Sequence, residues 1–142
     1  MNFIETSVDS RITQWRDFRT QLEVSKDPLQ ETQDLWNNAP VINRYLDPWD
    51  SQQWPTPWEL LKENRFCPVG IPLMMGWTLK LTTKFSQAPV LIKISIDHTE
   101  QRYYNLCYVG NKVLNYTNKV VDEKELTDNL SVQFQQELTQ AS

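Results

Sequence analysis

Glycine is scarce in this chain, with three residues in 142. Phosphate-cradling loops need closely spaced glycines. No Gly-x-Gly-x-x-Gly or Walker pattern occurs, which excludes nucleotide binding of that kind. Histidine occurs once, at His98, and cysteine twice, at Cys67 and Cys107. Two cysteines and one histidine show no tight ligand spacing, so no metal or cofactor is expected. The two thiols can pair only if the fold brings them together. No apolar run approaches the roughly 20 residues that span a bilayer. Met1 to Ser10 lacks the apolar segment of a signal peptide, so the expectation is an intracellular chain with reduced cysteines. Positive charge is in deficit: the net charge is −4, the pI is about 5.0, and no basic run is present. Affinity for phosphates rests on clustered Lys and Arg, so direct nucleic-acid binding is not expected.

What the chain has instead is tryptophan and proline in one place. Three of six tryptophans and three of eight prolines lie between Leu46 and Leu61. Each buried aromatic removes roughly 150–250 Å² from water, so Trp49, Trp54 and Trp58 together can anchor a core. The prolines hold the backbone extended. This predicts a stiff, irregular structural clasp. The alternative is an exposed aromatic ligand platform, with Trp49 and Trp54 as contact residues. The segment closes in a helix start: Thr56 as N-cap, Pro57 at the first helical position, and Glu59 completing a capping box.

The rest of the chain suits one domain, residues 1–142. Residues 1–45 read as a helical arm. Ile12, Trp15, Phe18 and Leu22 fall on one stripe of a helix over residues 8–26, and Asp27 and Pro28 open a second helix through Trp36. Trp15 and Phe18 offer a packing stripe or a docking face for a neighbouring subunit. Residues 46–118 hold the Trp/Pro segment, a central helix and a sheet. The run from Pro68 to about Phe85 fits a buried helix. Trp77, Leu79, Leu81, Thr83 and Phe85 also alternate as a strand would, and the helix is the preferred reading. Val90 to Asp97 alternates as a half-buried strand, and Arg102 to Val109 is a second. Gly110-Asn111 is a two-residue hairpin loop, and Lys112 to Thr117 is a third strand. In residues 119–142, Asp122 and Glu125 form a cap, and Leu126, Leu130, Phe134 and Leu138 predict a closing helix. The architecture expected is α+β: N-terminal helices, a central helix on a three-stranded antiparallel meander, and a C-terminal helix.

Cys67 stands just before the central helix, where free amides and the helix dipole favour a thiolate. A helix opened by cysteine and followed by antiparallel strands, over about residues 60–118, resembles the papain-like and transglutaminase-like folds. That resemblance implies a nucleophilic cysteine, a base histidine from the next strands and an orienting Asp or Asn. Asn115 matches the orienting position. Arg102 or Tyr103 occupies the histidine position, and His98 lies several residues earlier, in a turn. If the chain is a cysteine hydrolase or amidase, its residues are Cys67, His98 and Asn115. Against this, Pro68 removes one amide, and Cys67 is then a buried structural thiol.

A second resemblance rests on Trp15-Arg16-Asp17-Phe18-Arg19, Asp27-Pro28-Leu29, Asp47-Pro48-Trp49, Trp54 to Leu60 and the Cys67 segment. Together these look like a small uncharacterised family of contractile-tailed phages, notably marine ones infecting cyanobacteria. It implies a virion component of capsid, neck or tail, assembled in the host cytoplasm. Such a component touches other virion proteins or further copies of itself, without membrane contact. A phage-encoded binder of a host protein is a third reading.

Overall fold

The computed structural model describes residues 7–42 and 46–139. Four helices precede a sheet: α1 (Val8–Leu22), α2 (Pro28–Asn37), α3 (Pro57–Glu63) and α4 (Gly70–Lys80). Five strands follow: β1 (Val90–Asp97), β2 (Arg102–Val109), β3 (Lys112–Leu114), β4 (Val121–Asp122) and β5 (Leu130–Glu137). They pair antiparallel in the order β4-β3-β2-β1-β5. The α+β class is as expected, and the meander is present as β1, β2 and β3.

α4 explains the helix preference. Every residue from Gly70 to Lys80 except Trp77 is buried. A helix apolar on all sides has to lie inside the domain. It ends at Lys80 and does not run on to Phe85. Thr82 turns the chain there: its hydroxyl donates to the Leu79 carbonyl at 2.6 Å and accepts from Phe85 N–H at 3.2 Å. The Glu23 carboxylate, at the end of α1, accepts the Thr83 and Lys84 amides at 2.8 and 3.0 Å. Those two backbone bonds hold the Glu23 carboxyl below its ordinary pKa.

One face of the sheet, with Val90, Ile92, Cys107, Val109 and Leu114, packs on α4 and on Trp15 and Trp36 from α1 and α2. The other face carries Leu106, Tyr108 and Val113, covered by Val121 and Leu126. The hairpin at Gly110-Asn111 forms as read, with Val109 opposite Lys112 and Gly110 at φ +60°.

The closing helix is the expectation the structure corrects. The Asp122–Glu125 capping box exists, but it caps only the single 3-10 turn Glu123–Glu125. The chain then crosses the second face of the sheet and returns as β5 beside β1. Ile94 pairs with Phe134, and the register shifts by one residue before Ser95 pairs with Val132.

The Trp/Pro segment is a clasp with an exposed rim. Trp54 Nε1 donates to the Asp47 carbonyl at 2.8 Å, and Asp47 Oδ1 accepts the Trp49 amide at 2.9 Å. Trp54 meets Phe134 edge-on at 6.1 Å; Trp49 meets Tyr103 at 6.0 Å and Phe134 at 6.3 Å. Ser51 Oγ bonds Gln136 Oε1 at 2.6 Å. Trp58, on α3, is 45 % exposed and only edges onto Trp15. The α3 capping box between Thr56 and Glu59 is complete.

Candidate functional site

Cys67 lies where the chain enters α4. Its carbonyl accepts the Gly70 amide at 2.8 Å and the Ile71 amide at 3.3 Å. The thiol is fully buried among Leu46, Val69 and Ile94, with Trp54 and Phe134 packed over them. Cys107 is also fully buried and free, on the α4-facing side of β2. Burial pushes its thiol up to about 12.

Beside the α4 start lies a cleft of about 320 Å³. Its walls are Pro68 just before α4, Ile71 from α4, Trp36 from α2, and Tyr103, Asn105 and Asn115 from the β2–β3 side. Asn115 directly follows β3 in the left-handed region, φ +74°, a conformation asparagine tolerates better than most residues. Three groups set its place. Its amide donates to Gln33 Oε1 at 2.8 Å, its Nδ2 donates to the Asn105 carbonyl at 2.8 Å, and Gln33 Nε2 donates to the Thr117 carbonyl at 2.9 Å. Asn105 Oδ1 is buried with no hydrogen-bond partner among the described residues. Asn64 Oδ1 and Arg19 Nε share that state, and a buried polar atom left unpaired costs about 1–3 kcal/mol. At the rim, the Arg102 guanidinium lies 4.4 Å over the Tyr104 ring.

His98 stands apart. It is exposed in the β1–β2 turn, and its Nε2 lies 2.7 Å from Ser131 Oγ on β5. No described hydrogen bond joins it to Cys67 or Asn115. The structure therefore brings Asn115 to the cleft beside Pro68, and leaves the thiol buried and the imidazole on another strand pair. Trp54 packs on the apolar cluster around Cys67, and Trp49, 46 % exposed, rests outside it on Phe134 and Tyr103. Trp15 is buried in the core, and Phe18 packs half-buried against it. Asn105 and Gln33 went unnoticed in the sequence. The available signal was an Asn inside a strand, where Asn is depleted.

No family model matches the chain, and no curated protein matches its sequence. The fold does match a solved structure, calcium-bound LapG from Legionella pneumophila. The TM-score is 0.67 at 12 % identity, over 92 % of this chain and 76 % of that one. The fold is papain- and transglutaminase-like. The match corrects the expectation of a virion structural component: over 92 % of the chain the fold is shared with LapG, the scaffold of the alternative reading. Calcium belongs to the LapG structure. Among the described residues here, no group of three or more His, Cys, Asp or Glu side chains comes together to hold an ion.

Proposed function

We propose that this chain uses the papain-like scaffold to hold an extended, amide-bearing ligand, a peptide segment, in the cleft between the start of α4 and β2. Asn105 and Asn115 are the polar contacts, and Tyr103, Trp36 and Ile71 are the apolar walls. The carrying observation is a cleft beside the start of α4 that is lined by Asn105 and Asn115 and not by Cys67. A neutral carboxamide acceptor suits a neutral N–H donor. The nearby Arg102 disfavours a cationic one.

Binding of a mixed peptide pool, followed by backbone NMR shifts, tests this. The expected result is shifts confined to residues around Pro68, Asn105 and Asn115, weakened at least tenfold in Asn105→Ala and unchanged in Cys67→Ala. Peptide binding that ignores Asn105→Ala overturns it.

The second reading is a thiol hydrolase using Cys67, favoured by the fold match and by the position of Cys67 at the α4 entrance. It requires the clasp to open and His98 to reach the thiol. Amide cleavage lost in both Cys67→Ala and His98→Ala selects this reading over the first.

A further inference from the structure

Two glutamines on α2, Gln30 and Gln33, lie three positions apart and so share one face of the helix. That face meets the loop that leaves β3. Gln30 Nε2 donates to the Asn118 carbonyl at 3.0 Å, and Gln30 Oε1 accepts the Val120 amide at 2.9 Å. Gln33 Nε2 donates to the Thr117 carbonyl at 2.9 Å, and Gln33 Oε1 accepts the Asn115 amide at 2.8 Å. Each side chain uses both ends of its carboxamide on the loop backbone. A carboxamide can donate and accept at once, whereas a carboxylate can only accept. The two glutamines differ in what they hold. Gln30 is partly exposed and grips the far part of the loop; Gln33 is fully buried and grips its start.

The loop starts at Asn115, which lines the cleft; Gln33 does not line it. Asn115 stands at φ +74°, one residue after β3 ends. The left-handed region is sparsely populated by residues other than glycine, and such a residue stays there when its surroundings fix it. Gln33 supplies that from one side, holding the Asn115 amide and, two residues on, the Thr117 carbonyl. With the backbone set there, the Asn115 side chain reaches β2. Its Nδ2 donates to the Asn105 carbonyl at 2.8 Å, and its Oδ1 accepts from no described residue. Oδ1 is therefore the end left to a ligand.

We propose that Gln33 is a positioning residue of the cleft: it does not reach the ligand, but its two hydrogen bonds fix the conformation from which Asn115 presents Oδ1. Binding groups work when neighbouring hydrogen bonds lock their conformation beforehand. The inference rests on the reading of the cleft as a peptide site. Gln30 makes the same kind of paired bond to the same loop without touching Asn115, and so serves as the internal control.

The test titrates the mixed peptide pool into the wild type, Gln33→Glu and Gln30→Glu at pH 7.5. Binding is read from backbone NMR shifts around Asn105 and Asn115, and stability from urea melts. Gln33→Glu is isosteric, but its carboxylate cannot donate to the Thr117 carbonyl. The expected result is binding about tenfold or more weaker in folded Gln33→Glu, and within about threefold of the wild type in Gln30→Glu. Near pH 5 the gap between Gln33→Glu and the wild type should narrow. Burial raises the pKa of the introduced carboxyl, and its neutral form again donates one hydrogen bond and accepts another. A purely structural glutamine would lower stability and leave the affinity of the folded molecules and its pH profile unchanged; that result overturns the proposal. So does equal weakening in both variants. If Gln33→Glu does not fold at pH 7.5 by circular dichroism, Gln33→Met, uncharged and of similar length, should show the same loss of affinity with no recovery near pH 5. No binding by the wild type overturns the peptide reading of the cleft and the positioning role with it. Wild-type binding that ignores both Gln33 variants overturns the positioning role alone.

Discussion

Trp15 Nε1 donates a hydrogen bond to Thr78 Oγ1 at 2.9 Å, across 63 positions of sequence. The same oxygen accepts Trp36 Nε1 at 2.9 Å and donates to the Met74 carbonyl at 2.6 Å. One hydroxyl inside α4 thereby sets the positions of α1 and α2. Thr78→Val keeps the shape and removes the acceptor, leaving the buried Trp15 donor unpaired. Trp36 Nε1 loses the same acceptor, so the expected loss is about 2–6 kcal/mol, at roughly 1–3 for each buried donor deprived of it. Thr78→Ser should stay within about 1 kcal/mol of the parent. Urea melts of both variants check the contrast.

The tryptophans divide by burial. Trp36 is fully buried and edges onto Phe66 at 5.5 Å, whereas Trp58 is 45 % exposed. Trp36→Ala should cost about 3–5 kcal/mol, a large-to-small change in a packed core. Trp58→Ala should cost about 1 kcal/mol or less, since its ring is already half in water. A loss above about 2 kcal/mol for Trp58→Ala contradicts its exposed position.

Gly76 lets α4 approach the sheet. A Cβ there would stand 2.6 Å from Leu138 Cδ1 and 3.2 Å from Val90 Cγ1. Leu138 can swing aside, but Val90 is buried in the strand. Gly76→Ala is therefore expected to lower stability by about 1–3 kcal/mol, despite the better helix propensity of alanine. The double variant with Leu138→Ala should show coupling, its loss smaller than the sum of the two single losses. Chemical denaturation of the four proteins measures this.

Cys107 gives stability a pH dependence. Its thiol rises from the ordinary 9.0 to about 12 in the folded chain because burial disfavours the thiolate. The unfolded chain ionises first. The contribution is full below about pH 9 and is lost as pH rises from there towards 12, at up to roughly 1.4 kcal/mol per unit. Cys107→Ala should flatten this alkaline decline in melting temperature relative to its own value at pH 7.

Both thiols should resist alkylation in the folded protein, because each side chain is fully buried. Mass mapping after treatment with iodoacetamide at pH 7.5 is the measurement. Rapid labelling of Cys67 alone, abolished in His98→Ala, removes the structural role of Cys67 and supports the hydrolase reading.

Local signals were legible in the sequence wherever one short segment decided the outcome. The Thr56–Glu59 capping box needs only its own turn, and the Gly110-Asn111 loop needs only a residue that accepts positive φ. The alternation through Val90, Ile92 and Ile94 marks a half-buried strand wherever it occurs, and the apolar density around Met74 and Met75 suits only an interior helix. The α+β class and the likeness of residues 60–118 to a papain-like core followed from these.

The C-terminal segment shows where that reading stops. Leu126, Leu130, Phe134 and Leu138 recur every four residues, close to one helical turn. Four is also two full repeats of a strand, so the same spacing marks one face of either element. Only the open side of β1 decided for the strand. The cleft was set in the same way. Asn105 and Asn115 are ten positions apart and meet because β2 and β3 pair and Gln33 reaches across from α2. Cys67 and His98, both legible as chemistry in one dimension, are held apart by a clasp and a turn whose placement depends on contacts distant in sequence. Residue type and spacing settle local conformation because its energy is local. Which side chains share a site depends on packing summed over the whole chain.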